Sequence, residues 1–348
     1  MKIGIVITAY NNEETLENVI KSAAALKKNN KVYIVLVDDC STDSSIKIAK
    51  LALKKNQIDR IHINKKNHGI SKCRNIGIKL SKKTDYITFL DGDDYINSKF
   101  TKISNKKIYG DLIVFNFNYL NKDKIFKNYF FNKDQKLLTD DIKKYFYNYL
   151  MKPNKSSLFT TCWAKLYKTK LFKLDKTLRF NEKLHICEDT DFVFRFLLRS
   201  KNIQYINSYM YLHSLQLGKK NLDKATFASK KNIHHQISFL KPVESCKKYL
   251  IKNRENLSFV QKKIDHCIGA YTIIYTIRSC IRINSFLSFL KIYFFWKKIY
   301  RKELFLNAIK NYSPKFAKGG LLIPYLIKNR FYFITILVAY LFAKKRYL

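Results

Sequence analysis

No pair of the seven cysteines has CxxC spacing, and their number is odd. Neither a disulfide framework nor a zinc site is expected, and a reducing cytosol suits such a set. No GxGxxG and no GxxxxGK[ST] occurs, which removes the dinucleotide fingerprint and the Walker loop. The first residues hold no apolar core of roughly 7–15 residues with a cleavage site, so no signal peptide is expected. Spanning a bilayer takes roughly 20 apolar residues. Phe331 to Ala343 is uncharged for only thirteen residues, and extending it backwards meets Arg330 and Lys328. No internal repeat or low-complexity segment stands out. Acidic residues are scarce: 26 Asp and Glu stand against 67 Lys and Arg, a formal net charge of +41.

That imbalance is uneven. Residues 1–100 carry a net +7, residues 101–200 a net +11, and residues 201–348 a net +23, with only five acids among them. Such a surface attracts polyanions, either nucleic acid or an anionic membrane leaflet. An AT-rich coding bias toward Lys, Asn and Ile accounts for part of it. With 348 residues, 47% of them hydrophobic and 15% aromatic, the chain is ordered and can bury a large core. One large domain with a smaller appendage is expected.

The first hundred residues alternate in period. Ile3 to Thr8 is a continuous apolar run and reads as a buried strand. Leu16, Val19, Ile20, Ala23 and Leu26 then recur at helical spacing, with Asn12 as the expected N-cap. Val32 to Val37 reads as a second strand, followed by a helix over 44–55. Ile61 to Ile63 is a short third strand, and a helix is expected from about Ile70 to Lys82. Tyr86 to Leu90 is the fourth strand. A β-α-β-α-β-α-β order predicts an α/β fold: a mainly parallel, right-handed, Rossmann-like sheet flanked by helices. Ligands of such sheets bind beyond the carboxyl ends of the strands. Strands one, two and four all end there in polar residues.

The fourth strand ends in Asp91-Gly92-Asp93-Asp94. Ionised carboxylates this close repel one another unless a cation lies between them. Oxygen ligands suit a hard divalent ion such as Mg²⁺ or Mn²⁺ shared with substrate phosphates. Alone, the segment reads equally well as a polar turn. Further on, Leu112 to Tyr119 and Ile125 to Phe131 read as strands, Lys143 to Met151 as a helix, and Ile203 to Leu212 as a last strand. Glu188, Asp189 and Asp191 precede a buried helix, where acids suit the helix dipole whatever else they do. Beyond about residue 220 the pattern is helical and basic up to Pro314. Phe286 to Trp296 and Phe331 to Ala343 are aromatic stretches edged by Lys and Arg. They read as helices lying in a membrane interface, or as core helices packed on the N-terminal domain.

Thr8-Ala9-Tyr10-Asn11, Val37-Asp38-Asp39-Cys40-Ser41-Thr42-Asp43, Gly69-Ile70-Ser71-Lys72-Cys73-Arg74-Asn75-Ile76-Gly77 and Phe89-Leu90-Asp91-Gly92-Asp93-Asp94 occur in this order. Together they resemble family 2 of the bacterial glycosyltransferases, inverting enzymes with the GT-A fold. Trp163-Ala164-Lys165-Leu166-Tyr167 and Glu188-Asp189 look like that family too. The resemblance covers residues 1 to about 215. It implies a glycosyltransferase domain over 1–215, with a nucleotide-binding half (1–100) and an acceptor half (101–215). Residues 216–348 lie outside it and are expected to form a helical, basic, membrane-associating region.

The resemblance also implies roles. Thr8, Ala9 and Tyr10 line the uracil and ribose pocket of a UDP-sugar, with Thr8 where the family often has proline. Asp39 accepts a hydrogen bond from the uracil N–H. Asn67 and Arg74 flank the nucleotide, supported by Asn75. Asp91 and Gly92 meet the ribose or metal, Asp93 and Asp91 ligate Mn²⁺ or Mg²⁺, and Asp189 is the general base with Glu188 beside it. His213 reads rather as a structural histidine near the diphosphate. The donor would be a UDP-hexose or UDP-N-acetylhexosamine. The acceptor would be a glycan or a lipid-linked saccharide in lipooligosaccharide, lipopolysaccharide or capsule synthesis. The basic C-terminal region would rest on the anionic inner face of the cytoplasmic membrane. A nucleotidyltransferase shares strand-end acids and metal, but has no obvious use for Glu188-Asp189. A nucleic-acid-binding protein would suit the charge, but no RNP, KH or zinc motif accompanies it, so no nucleic-acid partner is expected.

Overall fold

A computed structural model describes residues 1–97, 100, 107–121, 124–128, 130–153, 157–215, 236–281, 283–313 and 321–347. Tyr129 of the expected 125–131 strand, residues 220–235 of the expected helical region, and Pro314 lie outside the described residues. The chain forms two compact units. One comprises Met1–Leu138 and Leu158–Thr226, the other Thr139–Ser157 and Phe227–Leu348.

The first unit is built on a sheet. Its strands β1 (Lys2–Ala9), β2 (Lys31–Asp38), β3 (Arg60–Ile63) and β4 (Tyr86–Asp91) run parallel in the order β3-β2-β1-β4. Helices α1 (Leu16–Ala24), α2 (Ser45–Lys54) and α3 (Ile70–Leu80) connect them. β1 is buried from Ile3 to Ala9 and β4 from Tyr86 to Leu90. A strand covered on both faces must be apolar at successive residues, which is why these runs do not alternate. Register places Thr8 between Val37 and Asp91, and Ala9 beside Asp38, at one sheet edge.

The start of α1 differs from expectation. Thr15, not Asn12, is its N-cap. The Asn12 carbonyl accepts the Thr15 and Leu16 N–H groups, and its side-chain oxygen accepts from the Tyr10 N–H. Asn12 therefore stabilises the turn before the helix instead of capping it.

Close packing of α3 on β1 depends on Gly77. A Cβ there would lie 2.1 Å from Val6 Cγ1. Gly77→Ala is expected to lower unfolding free energy by about 2–3 kcal/mol, read from urea melts, because the overpacked methyl forces helix and strand apart.

The rest of this sheet is mixed. β5 (Tyr95–Ile96), β6 (Leu112–Asn121), β7 (Lys124–Asn128), β8 (Gln135–Leu137), β9 (Lys165–Lys168) and β10 (Ile203–Ser214) complete it. The order continues β4-β9-β6-β10-β5. β9 is antiparallel to β4 and β6, whereas β10 runs parallel to β6. The expected mainly parallel sheet thus holds for β1 to β4, and β9 interrupts it. Helices α5 (Thr169–Leu174) and α6 (Glu188–Arg199) follow β9. Phe89 of β4 meets Phe180 edge-on with ring centroids 5.1 Å apart, and Phe192 of α6 at 5.8 Å. This aromatic cluster ties the end of β4 to the start of α6.

The second unit is helical. It contains α4 (Thr139–Met151), α7 (Leu240–Lys252), α8 (Leu257–Cys280), α9 (Phe286–Tyr300), α10 (Glu303–Asn311), α11 (Leu322–Lys328) and α12 (Tyr332–Tyr347). α8 is buried over most of its circumference and packs against α4, α7, α10 and α12. Its polar groups find partners inside. Trp296 Nε1 donates to Ser279 Oγ at 2.8 Å, and Thr276 Oγ1 pairs with the Tyr300 hydroxyl at 2.7 Å. Among the described residues, no helix is long and apolar enough to cross a membrane.

Candidate active site

The loops after β1 and β2 are laced together. Asn11 N donates to Ser41 Oγ at 2.9 Å, and its side-chain oxygen accepts from Thr42 N at 2.8 Å. Asp39 N donates to the Ala9 carbonyl at 2.8 Å. Asn11 and Cys40 both take left-handed conformations, with φ of 52° and 66°. Strain of this kind persists only where neighbours over-determine the backbone. Thr8 and Ala9 are buried beneath these loops, while Tyr10 keeps 49% of its surface exposed.

Asp39 is buried and anchors the next loop. Oδ1 accepts from Asn64 Nδ2 at 2.8 Å and His68 N at 2.9 Å, and Oδ2 accepts from Gly69 N at 2.7 Å. Oδ2 keeps a lone pair for one further donor. Asn67 is exposed in this loop, and no described residue bonds its side chain. Asn75 does not touch the acidic cluster. It holds the 180–182 segment through the Phe180 N–H and carbonyl and Glu182 Oε1, at 2.8–2.9 Å.

Arg74 is the centre of the site. Its side chain is 2% exposed. Nη2 donates to Asp91 Oδ1 at 2.9 Å, Nη1 donates to Asp189 Oδ1 at 2.5 Å, and Glu188 Oε1 lies 3.9 Å away. The resemblance set Arg74 beside the nucleotide; its guanidinium faces three carboxylates drawn from β4 and α6. Burial disfavours its charge, but Asp189, Asp91 and Glu188 outweigh that and hold it firmly protonated. Loss of hydration and the neighbouring Asp189 charge push Glu188 above the usual carboxylate range. Cys162 N donates to Asp189 Oδ2 at 3.2 Å, so both oxygens of that carboxylate are oriented.

Gly92 makes the turn after β4. A Cβ there would meet Asn12 Oδ1 at 2.6 Å and the Thr8 carbonyl at 2.8 Å. Beyond it the two remaining acids differ. Asp94 is buried and accepts from the Tyr211 hydroxyl and Ser214 N at 2.7 Å and pairs with His213 Nδ1 at 3.0 Å. Trp163 stacks on Tyr211 at 4.6 Å and on His213 at 5.3 Å. No described residue bonds Asp93. Its surroundings strip hydration from the carboxylate although the residue keeps an exposed edge, and the charges of Asp94 and Asp91 add to this, pushing it up to about 7.

Burial lowers the His213 pKa, but the bond to Asp94 and its charge outweigh this and raise it. A histidine raised in the folded state stabilises fully below its unfolded value of about 6.5, and loses that contribution as pH rises through the folded value. The stability gap between the protein and His213→Gln, from urea melts, is expected to shrink as pH rises above about 6.5. The change is about 1 kcal/mol at most, since a third of the ring side chain meets water.

Two of the strand-end carboxylates keep oxygens without a protein partner among the described residues, the oxygen donors a hard divalent ion takes. Asp93 is unpaired, and Asp91 Oδ2 accepts from no described residue. No group of three His, Cys, Asp or Glu forms a closed metal cage among the described residues. One or two carboxylates completed by phosphate and water is how Mg²⁺ is usually held.

Thr8, Arg74, Asp91, Glu188 and Asp189 thus meet directly, Gly92 and Asp93 adjoin them, and Asp39 secures the neighbouring loop. Sequence reasoning missed Asn64, Tyr211 and the bonding of Asp94 by His213. The alternation of β10 carried a signal, because Tyr211 and His213 share a face at the strand's end.

Residues 4–196 match the model of the family described as Glycosyl transferase family 2. The chain is similar to glycosyltransferase GlyA of Streptococcus pneumoniae serotype 4, at 28% identity over 228 residues, 62% of this chain and 31% of that protein. It is similar to poly(ribitol-phosphate) beta-N-acetylglucosaminyltransferase TarS of Staphylococcus aureus, at 23% identity over 229 residues, 65% and 37% of the two chains. The matches span about a third of the length of these relatives. The solved structure of S. aureus TarS 1-349 in complex with UDP-GlcNAc is similar over 100% of this chain and 91% of that one. The TM-score is 0.64 at 16% identity, a likeness of fold. The fold is GT-A.

Proposed function

The chain belongs to glycosyl transferase family 2, and we propose that it moves a hexose or N-acetylhexosamine from a UDP-sugar to a hydroxyl of a glycan or lipid-linked acceptor, with inversion. The observation that carries this reading is the joining of the β4 carboxylate Asp91 and the α6 pair Glu188–Asp189 on one buried guanidinium, beside an unpaired Asp93. The UDP-GlcNAc complex of the TarS structure supports a UDP-sugar as donor. The surface-polymer activity in the TarS name supports a surface glycan, such as lipooligosaccharide, lipopolysaccharide or capsule, as the product's setting.

Each residue has a physical role in this reading. The exposed Tyr10 ring offers a stacking surface for uracil. Thr8 and Ala9 form the floor beneath the ribose, and Asp39 Oδ2 takes the uracil N–H. Asn67 closes the nucleotide wall from its loop. Asp93 and Asp91 would hold Mn²⁺ or Mg²⁺, which offsets the charge on a departing diphosphate. Asp189 takes the acceptor hydroxyl's proton while the oxygen attacks the anomeric carbon from the face opposite UDP, and a single displacement inverts it. Arg74 fixes Asp189 relative to Asp91, so base and leaving group keep a set separation.

Thermal melts with UDP, GDP, CMP and ATP, each with Mn²⁺ or EDTA, test this. UDP with Mn²⁺ at about a hundredfold over its Kd should add about 2.7 kcal/mol of stability, and the other nucleotides far less. Asp93→Asn is expected to remove the Mn²⁺-dependent part and to lower transfer at least about a hundredfold. A response confined to another nucleotide, or transfer of the nucleotide itself, would overturn the donor assignment.

A further inference from the structure

The second unit leaves apolar helix faces bare. On α12, Tyr332, Thr335, Ile336, Ala339 and Ala343 are buried, while Ile334, Leu337 and Leu341 are 44–58% exposed. Helical spacing puts these sets on opposite sides, so α12 is apolar outward as well as inward. α9 buries Phe289, Ile292, Trp296 and Ile299. Outward it carries Leu287, Lys291, Phe294 and Lys298, with Leu287 70% and Phe294 59% exposed. Leu322 and Tyr325 of α11 are exposed too. Phe333 packs on Phe289 and Tyr293, with ring centroids 5.2 and 5.7 Å apart, so α9 and α12 adjoin.

Beside that contact opens a recess of about 560 Å³. Lys297, Arg301 and Arg330 supply three cations, and Tyr293, Leu306 and the 331–334 segment supply apolar and aromatic walls. No acid lines it, and no described carboxylate pairs with any of the three cations. Lys297 Nζ lies over the Tyr293 ring, 5.4 Å from its centre. Residues 281–348 hold fourteen Lys and Arg and a single acid, Glu303. Three unpaired cations walled by apolar groups match a ligand with an anionic head and an apolar tail.

We propose that this recess seats the phosphate of an anionic lipid headgroup, while the bare faces of α9, α11 and α12 lie in the membrane interface. None of these helices can span a bilayer, so the unit lies on the surface and its aromatic side chains enter only the headgroup layer. The cytoplasmic leaflet, being anionic, is the matching surface. This goes beyond the sugar-transfer reading and does not rest on it.

Flotation of the full chain with vesicles tests it. The wild type is expected to bind vesicles of about 70% phosphatidylcholine and 30% phosphatidylglycerol, and not pure phosphatidylcholine. Lys297→Gln/Arg301→Gln/Arg330→Gln should weaken that partitioning about a hundredfold. Phe294→Ser/Leu337→Ser/Leu341→Ser, all at exposed positions, should weaken it at least about tenfold with the melting temperature unchanged. Urea melts, with midpoints and slopes matching the wild type, serve as the fold control for both variants. Equal binding to neutral vesicles, or anionic binding that survives both variants, overturns the proposal. So does stabilisation by inorganic phosphate without vesicle binding, which would make the recess a free-phosphate site. Concentration-dependent dimers lost in the serine variant, without vesicle binding, would assign the faces to a second copy and overturn it as well.

Discussion

Replacing Arg74 with methionine is expected to destabilise the protein by about 3 kcal/mol and to lower sugar transfer at least about a thousandfold. Methionine fills similar space and leaves Asp91, Glu188 and Asp189 close together with no cation among them. Removing one partner of a buried pair costs about 3–5 kcal/mol. The lower end applies because these carboxylates keep 18–21% of their side-chain surface in water. Their mutual repulsion adds a signature in pH. Without the guanidinium their folded pKa values rise above the unfolded ones, so ionisation costs stability, and the variant should recover as pH falls from about 8 to about 5.5. Arg74→Lys should fall between, since an ammonium on one stem cannot reach Asp91 and Asp189 as two separate N–H groups do. Urea melts across pH, with initial rates of UDP release, measure both effects. A methionine variant as stable as the wild type at pH 8 would show that Arg74 is not the tie between β4 and α6.

The parallel half of the sheet was legible because β1, β2 and β4 are covered on both faces, which writes their burial into the sequence as unbroken apolar runs. β9 was not legible. Lys165-Leu166-Tyr167-Lys168 is four residues long with a lysine at each end, which reads as surface. Yet Lys165 is buried, donating to the Trp163 carbonyl at 3.2 Å and Thr161 Oγ1 at 3.3 Å, and burial draws its pKa down to about 7. At the site, the acids could be read from residue type and position at strand and helix ends. Their pairing could not, because Arg74 and Asp189 are 115 residues apart and meet only after α6 packs through Phe192 onto Phe89. Asp39 belongs to the same class. Its loop anchoring depends on the backbone of His68 and Gly69, and backbone donors carry no sequence signal.

Asp189→Asn should lower transfer about 10³–10⁴-fold while UDP affinity changes less than about twofold. General-base catalysis contributes about 10²–10⁴. The larger value applies because the amide cannot take the proton and also weakens the bond that holds Arg74. UDP affinity is spared in the proposed arrangement because Tyr10, Asp39 and Asp93 carry the nucleotide and metal. Glu188→Gln is the necessary partner experiment. Glu188 is farther from Arg74 than Asp189 is, 3.9 Å against 2.5 Å, and its raised pKa lies nearer neutral pH. That raised pKa by itself would suit Glu188 to the base role. Asp189 is the better placed one, with both oxygens fixed by Arg74 and the Cys162 N–H. If position governs, Glu188→Gln costs about tenfold and Asp189→Asn at least a hundred times more. The Asp189 charge also helps to raise Glu188, so in Asp189→Asn any residual rate carried by Glu188 should lose its acidic limb at lower pH than in the wild type. Asp189→Asn keeping more than a tenth of the wild-type rate, with Glu188→Gln nearly inactive, would transfer the base role to Glu188 and leave Asp189 as the anchor of Arg74.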